Sequence, residues 1–356
     1  MKYLIIIGDI LKKNIIVKND KMNSKERLEL KNDFDGNLRM GAKAFNQKTG
    51  RDKHLNHREK KAGEYQELKT GQITSNLTQY RNCPLCQRDN FESIFIKDGF
   101  NHVRCKSCSM VYVNPTLIEE KTHSFYLNEE SYNQVLMNKV QLEMDEKRFN
   151  YSLDIINKLS KKRGSIIDIG AGPGFFLEKA INRGWKATAV ELNEFSVQKL
   201  KSLNIEVISK PLEKGVIKNK KFNCATLWAV LEHIINPNRL LKEINRLLES
   251  DGILALIVPN FDSLAVRVLQ KKCATFSGEA HVNHFNDLTL TKMLKNNGFE
   301  KIQMESIFTE INTIQNYLSF NDPYMGEPTY FLNVLTPNYI HKNLLGYALM
   351  GFFKKI

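Results

Sequence analysis

One segment constrains this chain more than any other. It reads Ile166-Ile167-Asp168-Ile169-Gly170-Ala171-Gly172-Pro173-Gly174-Phe175-Phe176. A β-branched run enters a glycine-rich turn, and a helical pattern follows through Leu177 and Ala180. Glycine permits the tight turn and lets backbone approach a ligand closely. The spacing separates cofactor classes. A dinucleotide-binding turn reads G-x-G-x-x-G, whereas here the third glycine comes one residue early. A phosphate loop needs Lys after its last glycine, and Phe175 stands there instead. The next apolar run ends in Ala189-Val190-Glu191, which places Glu191 21 residues after Gly170. A carboxylate at that point can accept two hydrogen bonds from a ribose diol.

The surroundings of this turn predict an α/β domain. Residues 160–310 alternate short β-rich runs with helical patterns, which is the signature of a parallel sheet covered by helices. The spacing predicts strands at Ser165–Ile169, Ala187–Glu191, Glu206–Ser209, Asn223–Trp228, Ile253–Val258 and Glu300–Ile307. A helix over Asn238–Leu248 should stop at Ser250-Asp251-Gly252. Residues 116–155 are helical in pattern through Leu142, Phe149 and Leu153. Tyr126 and Tyr132 in that stretch are candidates to fold over a substrate. The apolar run Tyr339–Phe353 predicts a helix that packs on the domain or touches a membrane surface.

The net charge is +13, of which residues 1–80 carry +7, from 17 Lys/Arg against 10 Asp/Glu. Residues 1–75 are polar and poor in periodic apolar positions, so they read as a flexible or weakly packed basic extension. Translation starting at Met22 or Met40 is an alternative. Basic excess suits nucleic acid, anionic lipid or acidic metabolites, and it also follows from a lysine-rich genome. Tyr3–Ile7 is apolar, but Gly8 and Asp9 stop it and no cleavage site follows.

Four of the six cysteines form two knuckles, Cys83-Pro-Leu-Cys86 and Cys105-Lys-Ser-Cys108, separated by 18 residues. Cys224 and Cys273 stand alone. This is no disulfide framework, and a reducing cytoplasm fits it. Two short turns presenting two thiolates each make a closed tetrahedral zinc site. Such a site does no chemistry and lends folding free energy to a small module over residues 80–115. Phe91, Ile94, Phe95 and Val103 suit a small ribbon of strands.

Asp168, Gly170, Gly172 and Gly174, followed by Glu191, resemble the cofactor site of class I S-adenosylmethionine (SAM)-dependent methyltransferases. Leu227-Trp228-Ala229-Val230-Leu231-Glu232-His233 resembles the family's fourth-strand motif. Ala280-His281-Val282-Asn283-His284-Phe285 resembles the segment before its last large helix. Asn223 and Ala229 depart from the family, where Asp is usual. The cysteine module running into Met110-Val111-Tyr112-Val113-Asn114-Pro115 resembles the leader of a bacterial subgroup that includes sugar C-methyltransferases and surface-polysaccharide enzymes. The resemblance covers roughly residues 80–308.

It implies a Rossmann-like, doubly wound, mostly parallel sheet over residues 116–310, a small N-terminal zinc ribbon, and an extension 311–356 packed on the domain. It implies SAM held by Asp168, Gly170, Ala171, Gly172, Gly174, Phe175, Glu191, Leu192 and Trp228, and structural zinc on Cys83, Cys86, Cys105 and Cys108. His281 and His284 become the candidate catalytic histidines, His281 as a general base or both as pocket-closing residues. Glu232 and His233 would shape the pocket. The acceptor would be a small molecule, a nucleotide-linked sugar or related metabolite. The alternative is an RNA methyltransferase whose zinc module binds nucleic acid. Scattered Arg81, Arg88, Lys97, Arg104 and Lys106 make no basic stacking surface for that role.

Overall fold

The polar N-terminal stretch is helical from Ser24 onward. The computed structural model describes residues 23–67, 70–122, 130–160, 163–320 and 335–356. Tyr3–Ile7, Met22 and Tyr126 lie outside the described residues, and Tyr132 falls in the helix Glu130–Leu136. Helices span Ser24–Phe34, Gly36–Met40, Ala42–Thr49 and Arg51–Glu64. Asn23 opens the first through a capping box with Glu26. Residues 24–64 are therefore not the flexible extension their composition suggests. They bury few apolar side chains, but Phe34 enters the core and charges dock the rest. Arg27 and Lys31 reach Glu305 at 2.8 and 2.6 Å, and Tyr151 donates to the same carboxylate at 2.6 Å. The Asp35 carboxylate accepts from the Thr309 backbone and hydroxyl at 2.7 and 2.9 Å. Composition misleads here because half of each contact belongs to another part of the chain.

The cysteine segment folds as antiparallel strands: β1 (Thr78–Gln79), β2 (Phe91–Lys97), β3 (Phe100–Cys105), β4 (Val111–Val113) and β5 (Thr116–Leu117). β2, β3 and β4 form a sheet, and β1 pairs with β5. A long helix, Lys139–Leu159, then leads to the alternating region and buries Phe149, Leu153 and Ile156.

That region supplies β6 (Ser165–Ile169), β7 (Lys186–Val190), β8 (Glu206–Ile208), β9 (Phe222–Trp228), β10 (Leu248–Pro259), β11 (Asn283–His284), β12 (Phe299–Ile307) and β13 (Ala348–Lys355). The main sheet has seven strands in the order β8-β7-β6-β9-β10-β13-β12. β6 through β10 are mutually parallel, and β13 runs antiparallel to both of its neighbours. This is the mostly parallel, doubly wound sheet that the alternation implies. It departs from the dinucleotide-binding order by the antiparallel strand inserted before the last one. Helices Phe175–Asn182, Glu194–Ser202, Pro237–Leu247 and Asp287–Asn296 lie between successive strands. Apolar clusters cover both faces of the sheet. One of them runs continuously into Cys83, Val103 and Tyr112, so ribbon and domain share a core.

Two sequence expectations are corrected. Tyr339–Phe353 is not one helix. Pro337–Lys342 makes a short helix, and Ala348–Lys355 enters the sheet as β13. A strand buried on both faces reads as an unbroken apolar run, which periodicity does not separate from a buried helix. Ser250-Asp251-Gly252 is not a helix cap. Leu248 caps the helix, and the three residues form an irregularity within β10, with Asp251 at φ 65°. Among the described residues no helix is long and apolar enough to cross a membrane.

The docking of the N-terminal helices gives a first prediction. Glu305→Ala leaves the buried Lys31 ammonium without its carboxylate, and removing one partner of a buried pair costs about 3–5 kcal/mol. Urea unfolding of the variant should show a loss of that size. A loss below about 1 kcal/mol would mean that these ion pairs do not anchor the helices.

Candidate functional site

The parallel strands end on one side of the sheet, where ligands bind in open α/β folds. At the end of β6 the chain turns with Gly170 at φ 72° and Gly172 at φ 54°. A Cβ on Gly170 would sit 2.7 Å from Val230 Cγ2, so this glycine is needed for close packing under the loop that follows β9. A Cβ on Gly172 would meet nothing within 4 Å. Its backbone therefore faces open space, as a turn that receives a ligand must. The Gly170 and Ala171 N–H groups donate back to the Val190 carbonyl.

Glu191 closes this turn from the end of β7. One carboxylate oxygen accepts from the Gly172 N–H at 2.7 Å, and the other accepts from the Leu192 and Asn193 N–H groups at 2.7 and 2.8 Å. Leu192 thus enters the site through its backbone. Trp228, at the end of β9, packs on Phe176 and Phe149, and its Nε1 is buried with no partner among the described residues. Phe175 begins the helix after the turn and packs partly on the core. An open glycine backbone, a fixed carboxylate and an orphan indole donor suit an adenosine-bearing cofactor.

Asp168 sits deeper than these groups. It is buried and accepts from the Thr226 hydroxyl at 2.7 Å across the β6–β9 pair. Burial pushes its carboxyl up to about 8, and the nearby Glu191 charge pushes the same way.

The second half of the site follows β9. Leu231–His233 form one 3₁₀ turn, next to the Val230 that packs on Gly170. The Val282 N–H donates to the Glu232 carbonyl, which brings the His281 segment alongside. One ligand atom each from Glu232, His233 and His281 lies within 4.8 Å of the others. His281 Nδ1 is 2.8 Å from the Thr275 carbonyl, and His233 Nδ1 is 3.0 Å from the Ala280 carbonyl. Burial holds His281 well below its ordinary pKa and takes His233 down to about 4. Both are neutral imidazoles at pH 7. Burial pushes Glu232 the other way, up to about 8.

His284 faces the ribbon, within electrostatic reach of His281. It sits in β11, which pairs with β4 of the ribbon, and its Nε2 is 3.0 Å from His102 Nδ1. Phe276 packs against both rings. His102 has no motif around it, and sequence reasoning passes over it.

In the ribbon, Cys83 Sγ is 3.4 Å from Cys108 Sγ and Cys86 Sγ is 3.5 Å from Cys105 Sγ, with all four sulfurs within 4.8 Å of one another. Four sulfurs at about 2.3 Å from a common centre stand about 3.8 Å apart, so this set fits a tetrahedral metal ion. Sequence reasoning also misses Arg58, whose guanidinium binds the buried Glu279 carboxylate at 2.6 Å, two residues before His281. A cavity of about 350 Å³ lies at that point, lined by Asn46, Asn56, Lys97, Phe276, Ser277 and Glu279 among others.

Residues 144–304 match the family model of a methyltransferase domain. A 37.1 kDa protein in transposon TN4556 of Streptomyces fradiae is 27% identical over 140 residues, which cover 35% of this chain and 39% of that protein. A Methanocaldococcus jannaschii protein is 26% identical over 166 residues, 46% of this chain and 63% of its own length. The chain thus spans less than two thirds of these two curated relatives. Among solved structures, a 1,6-didemethyltoxoflavin-N1-methyltransferase from Burkholderia thailandensis is 13% identical, with a TM-score of 0.44 over 74% of this chain and 99% of that one.

A pH prediction follows from Asp168 in β6. Its folded pKa lies above the unfolded value near 4, so the folded state binds its proton more tightly. That contribution to stability is fully present below about pH 4 and is lost as pH rises through about 8. Asp168→Asn keeps an oxygen for the Thr226 hydroxyl and removes the titration. In cofactor-free protein it should be about 1–3 kcal/mol more stable than wild type near pH 9 and close to wild type near pH 4. Urea unfolding at the two pH values checks this. Equal stability near pH 9 would show that Asp168 ionises there without cost.

Proposed function

We propose that this chain transfers a methyl group from SAM to a small, hydroxyl-rich acceptor, a nucleotide-linked sugar or a related metabolite, and carries structural zinc in its ribbon. One observation carries the cofactor reading: the Glu191 carboxylate stands at the open backbone of Gly172, next to the methyltransferase domain's ligand-side strand ends. SAM supplies an electrophilic methyl carbon for in-line displacement, and alignment of the reactants is the enzyme's main task. Glu191 would take the ribose hydroxyls, Gly170, Ala171 and Gly172 the flank of the cofactor, and the Trp228 indole a polar atom beside it. Asp168 would brace β6 against β9 beneath the turn rather than touch the ligand.

The acceptor reading rests on the cavity of about 350 Å³ beside the His281 segment. Its size suits a small molecule, and its lining sets amides and the Ser277 hydroxyl among charged groups such as Lys43, Asp52, Lys97 and Lys272, which suit a polar acceptor. The N-terminal helices supply one wall through Asn46 and Asn56. A general-base role for His281 needs Nε2 as an acceptor, which the Nδ1 contact with the Thr275 carbonyl provides. His284 is better read as a brace between ribbon and domain.

Calorimetry should detect SAM or S-adenosylhomocysteine binding and no comparable binding of NAD. Glu191→Ala should weaken it by about 2–4 kcal/mol, the worth of two charge-assisted bonds with partial compensation by water. With labelled SAM, nucleotide-linked sugars should gain label while transcribed RNA should not. Unchanged cofactor affinity in the variant would put the ribose elsewhere, and labelled RNA alone would overturn the acceptor class.

The ribbon gives its own prediction. Protein purified under reducing, chelator-free conditions should carry about one zinc per chain on Cys83, Cys86, Cys105 and Cys108. Elemental analysis showing none, or an undiminished content in Cys105→Ser, would remove zinc from this reading.

A further inference from the structure

The buried carboxylate of Glu232 has no role in packing that would account for it. The residue is 1% exposed, and neither side-chain oxygen has a hydrogen-bond partner among the described residues. A carboxyl buried in this way carries a large cost unless something binds it. His233 does not do so by hydrogen bonding, because its Nε2 stands 3.8 Å from Glu232 Oε1.

The two imidazoles define what is missing. Each has Nδ1 at hydrogen-bond distance from a backbone carbonyl, Ala280 for His233 and Thr275 for His281. A carbonyl only accepts, so Nδ1 carries the hydrogen in both rings and Nε2 carries the lone pair. Fixing the far nitrogen on a carbonyl is how proteins orient imidazoles that bind metals. A ring nitrogen from each of the two imidazoles and a Glu232 carboxyl oxygen lie within 4.8 Å of one another.

We propose that Glu232, His233 and His281 form a second metal site, one that takes a first-row divalent cation through one oxygen and two imidazole nitrogens. Two imidazoles and a carboxylate suit zinc, iron, cobalt or nickel better than the hard cations magnesium and calcium. Tetrahedral ligation at about 2.0–2.2 Å sets ligand atoms about 3.3–3.6 Å apart, so the three atoms, now within 4.8 Å of one another, close in by up to about 1.5 Å. Three protein ligands leave a coordination position open to a group from outside the chain. The ribbon site is of the opposite kind, four sulfurs and closed. Cation and proton compete for the same lone pairs, so with metal bound His281 is a ligand and an acceptor oxygen is polarised by the cation instead. The binding itself does not depend on methyl transfer, and it is measured with neither SAM nor acceptor present.

The test is cobalt titration of full-length protein holding one equivalent of zinc, which the four thiolates take in preference. The ribbon is filled first, so the added ion reports the second site. Wild type should bind one further equivalent with a visible ligand-field band and without the ultraviolet thiolate-to-cobalt charge-transfer band of a cysteine site. Glu232→Gln, nearly the same shape, and His281→Asn should each lose this equivalent while keeping the ribbon zinc. Cobalt should raise the thermal midpoint of wild type and not that of Glu232→Gln, and circular dichroism identifies a variant that is merely unfolded. Should His281→Asn fail to fold, Glu232→Gln decides alone, and should that too fail, His233→Asn takes its place. No further equivalent in wild type, an equivalent that survives these changes, or one with a thiolate band would each overturn the proposal.

Discussion

The site is held together by one buried guanidinium. Arg81, two residues before the first cysteine, donates to the Ile235 and Val282 carbonyls and to the Asn283 side chain, while its face lies over the Tyr112 ring. Asn283 in turn donates to the Leu231 and Ile234 carbonyls. The turn that carries Glu232 and His233, the segment that carries His281, and the ribbon all converge on this pair. Burial lowers the Arg81 pKa to about 10, which leaves it charged at neutral pH. The Val282 carbonyl also accepts from the Val113 N–H, so the guanidinium adds a second bond there and ties the ribbon strand and the His281 segment to one point.

Much of this arrangement is legible in the sequence. The glycine turn, Glu191 and six of the seven main strands follow from local pattern, because a parallel strand and its crossover leave a short, repeated signature. The four cysteines are legible for a similar reason, since two knuckles at matched spacing bring four thiolates into reach of one ion. What stays hidden is non-local. Arg81 and His102 are ordinary residues until the fold brings Val282 and His284 to them. β13 passes for a helix because burial on both faces erases the alternation that marks a strand. The N-terminal helices pass for a flexible extension because their stability lies in ion pairs to Glu305, 274 residues beyond Lys31.

The ribbon is less an appendage than part of the domain's wall. β11 lies between the His281 segment and the last large helix, yet its partner is β4. Leu85, Val103 and Tyr112 share a core with Leu231, Phe285 and Phe299. A module of this size cannot form a core alone. Here it borrows one, and in return it fixes the backbone on which His281 and Asn283 sit.

The position of β13 governs how the chain can be made. Synthesis delivers β10 first, then β12, and only after a further stretch the strand that belongs between them. Until residues 348–355 emerge from the ribosome, β10 and β12 each present a row of unsatisfied backbone groups. Such open edges recruit strands from other chains. The nascent protein therefore passes through a window of vulnerability to misassembly that ends when β13 slides into place.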